Sequence, residues 1–582
     1  MKATGAGQAI FENQVAISGA ISVQEGKLTL NGAANSAASA LVAGGWLIVG
    51  QGAAHSSASL AATVTVGQAG VLGGHGTVTG NVNVNAGAVL SPGNAAGDAG
   101  TMNVAGDLTL ASGGFYEVEA DPAQSGSLAL SDPGIGDRTV VSGAVNLAGT
   151  LRVIMDGVLE DFEGPQWLII DAGTGLSGSF EGTESDLAFL APSLVYDAAN
   201  YDVWLTFAPG DISDYATTAN QNSVAAALAS LDNGSSLFKD LVSLTKADQA
   251  QKTLAALAGE PHASVISGLS TMASSFADDL SRLVSLRSGA GGILAPAAGQ
   301  DGGLSGPNGL WVTIEASYGR FRGDGNAAPA KFYGPEVSIG YQRDFAGGWF
   351  GGLALRYSDK KLEVDRLNSK LDADVVMVTL YGGKEIALGP GTLRLLLGAG
   401  VGWHSIESER RVTMGVSTQT LKASYRGESF FGFFEAAYSF SPSDAVTLEP
   451  FVSVGWHTVN LGGFREVGGN AALIQSGERT SRVHGSVGLR SSFRLAQNVF
   501  LNLEAGWRHS FSGAAPSTEL RFAEGGNRFT VSGPAMDRDE AFIGVGLAIG
   551  LTEKARLRID YNGSLGRRYQ SHGGALTFSY NW

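Results

Sequence analysis

The chain ends with Leu576-Thr577-Phe578-Ser579-Tyr580-Asn581-Trp582, in which apolar side chains alternate with small polar ones. An alternation of period two predicts a β-strand with one face in an apolar medium and the other in water. A strand that stops on an aromatic residue is typical of the last strand of an outer-membrane barrel, where both faces have a use. The C-terminal segment therefore indicates a membrane-spanning strand.

The composition favours many short strands and tight turns. Of 582 residues, 84 are glycine and only 16% are charged. Cysteine is absent from the sequence, which excludes disulfides and thiolate metal sites. The formal net charge of −16 argues against a nucleic-acid surface, which would need clustered lysine and arginine. Because no apolar run reaches the length of a transmembrane helix, a membrane span must be made of strands.

The N-terminal region, residues 1–207, is built from short strand-like runs separated by small turn residues. Residues 20–32 show the unit, with one turn at Glu25-Gly26 and another at Asn31-Gly32. Each unit has too little apolar surface to stand alone, so the units must stack, and stacked short rungs predict a parallel β-helix. A β-sandwich is the alternative, less favoured because the turns come too often.

A change of pattern marks residues 208–309 as a linker. Residues 224–231 and 237–244 have helical spacing and good helix formers. A third, more polar helix is predicted at about 270–287. The Gly/Ala/Pro-rich stretch that follows, roughly 288–308, is typical of a flexible segment.

Residues 310–582 show long, regular alternation. In residues 501–508 the apolar set opposes Asn502, Glu504 and Arg508. Charges that share the parity of glycine and serine fit a water-filled lumen, whereas a soluble core would reject them. The side chains predicted to face this lumen are Glu504, Arg508, Arg556, Arg558 and Asp560.

Connection lengths strengthen the barrel interpretation. Short turns alternate with longer polar loops near 322–332, 363–371, 409–424, 462–479 and 512–537. This asymmetry predicts about twelve strands with both barrel ends on the periplasmic side. Aromatic girdles are expected near the strand ends, at Trp349, Phe350, Phe440, Phe451 and Phe511.

Segments that follow one another along the chain carry a family resemblance. They are residues 73–94, 115–119, 145–151, 220–225, 257–263 and 576–582. Together they resemble the passenger repeat, passenger stem, linker and C-terminal signal of a bacterial autotransporter of the type V secretion family. The resemblance implies an all-β chain with a short α-helical linker. A right-handed parallel β-helix passenger would precede an antiparallel transmembrane barrel with a pore helix.

The resemblance also implies a mechanism and partners. The barrel would insert in the outer membrane of a Gram-negative bacterium as a monomer, and the passenger would emerge and fold at the cell surface, C-terminal rungs first. The implied partners are the lipid bilayer, the barrel-assembly machinery and periplasmic chaperones. The assembly signal would be Leu576, Phe578, Tyr580 and Trp582.

The pore helix is assigned to the third linker helix. Its candidate residues are Phe276, Asp278, Asp279 and Arg282, the charged ones facing lumen charges. The alternative is that these are ordinary solvated helix charges. Some family members cleave themselves between two adjacent asparagines of this helix, but no such pair occurs in this linker, so autoproteolysis is not expected.

No catalytic, phosphate-binding or metal-binding motif occurs in the sequence. His55 and His75 lie in the β-helical region, where surface rung positions explain them without a nucleophile. No cofactor is expected, and the chain is expected not to be an enzyme. In the first long loop, Arg322-Gly323-Asp324 could engage a host receptor, although a polar turn is the simpler explanation.

The leading hypothesis is therefore a secretion protein with a non-enzymatic passenger, an adhesin or surface stem. Two alternatives remain open. A protease or esterase domain could lie upstream of Met1, with a signal peptide, or the chain could be a simple porin. The upstream coding sequence separates the first alternative from the leading hypothesis, and surface accessibility of residues 5–207 separates the second.

Overall fold

The computed structural model describes residues 1–94, 98–121, 134, 136–155, 166–242, 244, 246–286, 309–415, 417–512 and 515–582. They form two compact units. The first contains Met1–Ile212 and Asn233–Ala250, and the second contains Ser213–Asp232 and Gln251–Trp582. The flexible segment predicted at 288–308 lies outside the described residues.

Short strands make up most of the first unit. In chain order they are β1 Lys2–Ala3, β2 Gln8–Phe11, β3 Ala20–Val23, β4 Lys27–Leu30, β5 Asn35–Ser36, β6 Ser39–Val42, β7 Trp46–Val49, β8 Ser59–Ala61, β9 Val64–Val66, β10 Val71–Gly74, β11 Thr77–Val78, β12 Val82–Val84, β13 Val89–Pro92, β14 Thr101–Val104, β15 Leu108–Leu110, β16 Phe115–Ala120, β17 Arg138–Val141, β18 Ala144–Leu147, β19 Thr150–Met155, β20 Trp167–Ala172, β21 Gly175–Gly178, β22 Gly182–Ser185, β23 Leu190–Asp197 and β24 Asp202–Pro209.

These strands stack as a parallel β-helix with three sheets. Within each sheet, a strand pairs with the equivalent strand of the next rung, about three strands further along the chain, as in β4-β7-β10-β13-β16. Along this sheet the buried side chains of Leu28, Leu47, Leu72 and Leu90 lie in register and continue onto Tyr116. Each rung buries its apolar side chains against the next one. The β-helix prediction is confirmed, and the antiparallel pair β23–β24 ends the stack beside β20.

Four α-helices follow: α1 Ala219–Leu228, α2 Ser236–Val242, α3 Ala247–Leu257 and α4 Glu260–Leu283. Among the described residues, no helix is long and apolar enough to cross a membrane. The helix predicted at about 270–287 is α4, which begins ten residues earlier than expected. Gly259 has a left-handed φ of 67° and Pro261 stands in the first turn, a placement that starts a helix.

The second unit contains the long strands. They are β25 Gly309–Phe321, β26 Ala330–Phe345, β27 Trp349–Val364, β28 Ser369–Leu388, β29 Gly391–Met414, β30 Ser417–Ser443, β31 Val446–Arg465, β32 Leu473–Ala496, β33 Val499–Ser510, β34 Ser517–Phe522, β35 Gly525–Ser532, β36 Asp539–Gly550, β37 Ala555–Leu565 and β38 Tyr569–Asn581. All but β34 and β35 form a closed twelve-stranded antiparallel barrel. The closing pair is β25–β38, from Gly309↔Asn581 to Phe321↔Tyr569. The predicted strand number is therefore confirmed.

The two ends of the barrel differ. We call the end that holds Gly309, Asn581 and the short turns between strands the turn rim, and the opposite end the loop rim. Large apolar side chains point outward on alternate positions, as on β38, where Leu576 and Phe578 are exposed. Polar and charged side chains point inward. This arrangement is that of a barrel with a lipid-facing exterior.

Two expectations about the barrel surface were wrong. Phe350 and Phe451 are buried and point into the barrel, so they do not belong to an outer girdle. The segments near 363–371 and 409–424 are mostly strand, because β29 runs to Met414 and β30 starts at Ser417. These strands continue beyond the membrane, where the backbone pairing persists. Their outer face is polar there because it contacts water instead of lipid.

Candidate functional site: the occupied lumen of the barrel

Helix α4 lies along the lumen. At its first residue, the Glu260 carboxylate accepts a hydrogen bond from the backbone N–H of Ala328, in the loop between β25 and β26 (2.7 Å). Just past its last turn, the N–H of Leu286 donates to the carboxylate of Glu449 near the turn rim (3.0 Å). A helix of 24 residues is about 36 Å long. Helix α4 therefore runs from the loop rim to the turn rim.

Asp279 of α4 forms an ion pair with the barrel wall. We call the group that it joins, which consists of Asp279, Glu336, Arg356 and Lys360, the Arg356 cluster. Arg356 Nη2 lies 2.7 Å from Asp279 and its Nη1 lies 3.2 Å from Glu336. Lys360 Nζ lies 2.7 Å from the other oxygen of Glu336. The guanidinium of Arg356 also stacks 4.1 Å from the ring of Phe276. The cations satisfy both carboxylates, as buried charges require.

A second group near the turn rim, the Arg490 cluster, comprises Arg394, Glu435, Glu449, Arg490 and Glu504. Arg490 lies 2.9 Å from Glu435, 3.2 Å from Glu449 and 3.0 Å from Glu504. Arg394 contacts Glu435 and Glu449 at 2.9 and 2.8 Å. Helix α4 joins the cluster through Ser281, whose hydroxyl donates to Glu435. Three buried carboxylates thus share two guanidinium groups, and Arg282 of α4 adds a third cation at Glu504.

The remaining candidate charges also lie beside α4. Asp278 pairs with Arg508 of β33. Arg282 reaches Glu504 at 3.3 Å and Asp279 at 2.5 Å. The structure thus brings together most of the charges that the sequence assigned to the pore helix and lumen.

On β37, Arg558 pairs with Asp560 at 2.7 Å and points its Nη1 toward the carbonyl of Arg282, 3.4 Å away. Arg556 stands two residues before Arg558, on the same half-buried face of this strand. Arg558 and Asp560 thus lie beside the end of α4 next to the turn rim.

Five residues of the same network are not among those predicted from the sequence to face the lumen. Arg356, Arg394, Glu435, Glu449 and Arg490 share the inward parity of their strands and are buried. The parity of their strands could have identified them, since inward positions are the ones with glycine and serine. Their pairing could not be predicted, because it depends on the stagger between strands.

The loop rim holds a polar contact that was not predicted from the sequence. His262 Nε2 lies 2.9 Å from Glu466, and Arg410 lies 2.6 Å from the second carboxylate oxygen. Arg410 also donates to the carbonyl of Ala256 at the end of α3 (2.6 Å). No signal in the sequence marked Arg410 or Glu466, because both lie in segments predicted to be loops.

Helix α1 is held at the loop rim by Asn220. Its side chain donates to the carbonyl of Ser532 (2.9 Å) and accepts from the Ser532 N–H (2.9 Å). The Asn220 N–H donates to Asn326 (2.7 Å). Hairpin β34–β35 and the first long loop thus enclose the chain that precedes α4.

The Arg322-Gly323-Asp324 tripeptide lies in that same loop, at the loop rim. Arg322 and Gly323 are exposed. The Asp324 carboxylate accepts hydrogen bonds from the N–H groups of Asn326 (3.0 Å), Ala327 (2.8 Å) and Ala535 (3.2 Å). These bonds hold the turn together, as aspartate commonly does. A receptor role for the tripeptide stays a prediction.

The assembly-signal residues lie on one face of β38. Leu576, Phe578, Tyr580 and Trp582 are each between 42% and 50% exposed on the outer surface. The ring of Trp582 stacks on that of Tyr341, 6.0 Å away on β26. These residues therefore belong to the lipid-facing seam where the barrel closes.

The histidines of the β-helix have carboxylate neighbours. His55 Nε2 lies 3.4 Å from Glu12, and His75 Nε2 lies 3.3 Å from Asp98. Within the described part of the chain, neither ring has a serine or threonine hydroxyl at hydrogen-bonding distance. These histidines therefore show no triad geometry.

The carboxyl group of Asp137, near His75, has a different pKa in the folded chain than in the unfolded chain. Its oxygens accept from the N–H of Gly100 (2.7 Å) and Glu119 (3.0 Å). Burial, with a smaller contribution from the nearby carboxylates Glu119 and Asp98, raises the pKa of Asp137 from its ordinary value of 3.8 to about 8, although the two N–H bonds lower it. Its proton is therefore held more tightly in the folded than in the unfolded chain.

We expect this carboxyl to make the β-helix less stable as pH rises. Between pH values near the unfolded and folded pKa, the folded state binds the extra proton, so stability falls with increasing pH by up to about 1.4 kcal/mol per pH unit. Urea unfolding followed by circular dichroism at pH 5 and pH 8 measures this slope. Asp137→Asn should reduce the slope to the smaller contribution of groups such as Asp202, whose pKa burial raises to about 6. Asp107→Asn, at an exposed aspartate that also accepts an N–H bond, should retain the wild-type slope.

Comparison with known proteins identifies the barrel. Residues 310–562 match the profile of the family described as Autotransporter beta-domain. The translocator domain of the autotransporter NalP from Neisseria meningitidis is similar at 17% identity and TM-score 0.40, covering 54% of this chain and 98% of that one. The β-domain of the Bordetella autotransporter BrkA is similar at 17% identity and TM-score 0.33, covering 47% and 100%.

The C-terminal domain of this chain belongs to the autotransporter β-domain family, as the sequence resemblance predicted. A barrel of this family is a translocator domain in the outer membrane, with its passenger exposed at the cell surface.

Two curated relatives from Serratia marcescens are each named extracellular serine protease. Each is 24% identical to the chain, over 569 and 566 residues, covering 90% and 86% of the chain. Both alignments cover 52% of the relative, so the chain spans about half the length of the curated relatives it matches.

The expectation that the chain is not an enzyme is contradicted by these relatives. It rested on a search for catalytic motifs within these 582 residues. A motif search within the chain does not cover the half of each relative that lies outside the alignment. It also does not detect catalytic groups that only the fold brings together.

Proposed function

We propose that the barrel is the route by which the β-helix of its own chain reaches the cell surface. The supporting observation is the direction of α4. Its N-terminal end contacts the loop rim and its C-terminal end contacts the turn rim, where β25 begins. The chain that precedes α4 therefore leaves the lumen at the loop rim, which faces outward in outer-membrane barrels.

Stacking of rungs supports a direction for export. Each rung of the β-helix buries its leucines against the neighbouring rung, so folding can proceed rung by rung from the end that emerges first. Folding outside would oppose return of the chain through the lumen. The charges along α4 then hold the last segment in place once export is complete.

Protease treatment of intact cells tests this proposal. Residues 1–207 should be degraded while the barrel resists, since its strands lie within the membrane. A tag placed in the turn at Asp444, on the turn rim, should stay protected until the outer membrane is opened. Protection of the β-helix in cells whose barrel is correctly inserted would contradict export and favour a simple porin.

A second proposal concerns the passenger's activity. The name shared by both curated relatives supports an extracellular serine protease as the activity of the whole protein, with the β-helix as the stem that carries it. Cells that express the complete gene should then release a proteolytic activity that a serine-protease inhibitor blocks. Inactive medium from cells with a surface-exposed β-helix would contradict this proposal and leave an adhesin or plain stem.

A third proposal is that the β38 seam addresses the chain to the barrel-assembly machinery and its periplasmic chaperones. Its support is the exposed apolar face that ends at Trp582. Deleting Trp582 should lower the fraction of heat-modifiable, folded barrel in the outer membrane. Substituting Val467, an exposed apolar residue outside the closing strand, by alanine should leave that fraction unchanged. Equal insertion of both variants would refute the assembly role.

A further inference from the structure

The outer face of the barrel is concave across strands β27–β31. An open groove of about 990 Å³ lies there and is lined almost wholly by apolar atoms. Its floor contains three outward-facing small residues, Gly382, Ala399 and Gly432, and a fourth, Gly351, lies beside them on the neighbouring strand β27. Two pairs among them face each other in register, Gly351↔Gly382 and Ala399↔Gly432. Because four neighbouring side chains are missing or short, the bare sheet forms the floor.

Large apolar side chains form the walls of this groove. Leu380 and Leu397 are 66% and 63% exposed, more than most apolar residues of the barrel exterior. Trp349, Phe434 and Trp456 complete the walls. The groove therefore offers an apolar trough with aromatic sides in the part of the barrel that faces lipid.

Two cations lie on the outer face next to the turn rim. Arg343 is paired with Gly351 across β26 and β27, and Lys384 is paired with Trp349 across β27 and β28. Lys384 Nζ lies 4.9 Å from the Trp349 ring, and the Arg343 guanidinium lies 5.6 Å from the ring of Phe345. Among the ion pairs of the described residues, neither cation has a carboxylate partner. Tryptophan and basic residues at this position are typical of the level of lipid headgroups.

We propose that this groove binds a glycerophospholipid of the periplasmic leaflet. Its acyl chain would lie on the glycine floor between Leu380, Leu397 and Phe434. Its phosphate would lie between Arg343 and Lys384. The inference goes beyond the export function and does not depend on it.

The observations favour this occupant over others. An apolar trough with a cationic end matches an amphiphile with a long apolar tail and an anionic head. The cations lie next to the turn rim, which faces the periplasm, so the lipid comes from the inner of the two leaflets. A second copy of the barrel would present the same cations to each other at a two-fold contact, which opposes pairing through this face.

Native mass spectrometry of the 582-residue chain, refolded in detergent, tests the site. Phosphatidylglycerol and phosphatidylethanolamine with identical acyl chains are offered together, and inorganic phosphate is offered separately. We expect retained phosphatidylglycerol on the wild type, in preference to phosphatidylethanolamine, because anionic lipid interacts more strongly with basic side chains. Inorganic phosphate should not be retained.

Two double variants test separately the contacts of the lipid's acyl chain and those of its headgroup. Gly351→Leu with Gly432→Leu fills the floor, where the added side chains meet little: the nearest atoms to an added Cβ lie 3.7 and 3.6 Å away. This variant should retain phosphatidylglycerol at least about tenfold less, since acyl contacts carry most of the binding. Arg343→Gln with Lys384→Gln leaves the packing intact and should abolish the preference for phosphatidylglycerol.

Matched controls lie elsewhere on the same barrel. Gly574→Leu also adds a lipid-facing leucine, at a β38 position with no atom within 4 Å of an added Cβ. Lys554→Gln removes a cation from a turn on the same rim. Both controls should bind lipid as the wild type does, and heat-modifiable migration confirms that every variant is folded. Equal lipid retention by all variants, retention of phosphate alone, or a dimer in place of a lipid adduct would overturn the proposal.

Discussion

Replacing Arg490 by alanine is expected to destabilise the barrel by about 3–5 kcal/mol, because removal of one partner leaves buried charges uncompensated. Arg490 contacts Glu435, Glu449 and Glu504 within 3.2 Å, and its side chain is 5% exposed. Without it, Arg394 would remain beside Glu435 and Glu449 and Arg282 beside Glu504, which leaves two cations for three carboxylates. Guanidinium unfolding of the refolded chain, followed by tryptophan fluorescence, measures the loss.

A surface pair provides the control. Arg411 lies 3.2 Å from Glu409, but its side chain is 58% exposed. Arg411→Ala should cost less than about 1 kcal/mol, as exposed pairs usually do. In the Arg490→Ala background, Glu435→Gln should restore part of the stability, because it removes one of the unpaired charges. Equal effects of the two arginine substitutions would show that the lumen cluster does not contribute through its buried charge.

Deleting residues 260–286, which contain α4, is expected to convert the barrel from a nearly closed to an open pore. The helix fills the lumen, and its side chains Asp278, Asp279 and Arg282 all contact wall residues. Without it, the polar interior should admit water and ions. Single-channel conductance in planar bilayers should rise by at least about an order of magnitude, as expected when a plugged lumen becomes a channel.

A deletion of equal length in the β-helix, residues 20–46, removes the same amount of chain and leaves the lumen unchanged. This control should conduct as the wild type does. If removal of α4 leaves the conductance at the wild-type level in a correctly folded barrel, then some other segment closes the lumen.

The alternating pattern made the barrel predictable because a strand between lipid and water repeats every two residues. Residues 576–582 and 501–508 each carried that signal. The β-helix was predictable for a different reason: turns recur too often in residues 1–207 for the longer strands of a β-sandwich. The start of α4 could have been read from Gly259 and Pro261, but serines at positions 264, 267 and 270 concealed the helix. They are buried in a polar lumen, where the usual amphipathic pattern does not apply.

The site was only partly predictable. Parity along a strand indicates which face a charge lies on, as it did for Glu504 and Arg508. It does not indicate which charges meet, because Arg490 reaches Glu449 and Glu435 through strand stagger. The contact among His262, Arg410 and Glu466 depends on strands that extend past the membrane, and their polar sequence is typical of loops.

The central claim is that the chain before α4 lies outside the cell while the turn rim faces the periplasm. Because the sequence contains no cysteine, a single introduced thiol reports its own position. Ser39→Cys, at an exposed β-helix position, and Asp444→Cys, in a short turn, can each be labelled with a membrane-impermeant maleimide. We expect intact cells to label position 39 and to label position 444 only after the outer membrane is opened. Labelling of position 444 on intact cells, or protection of position 39 there, would contradict the account.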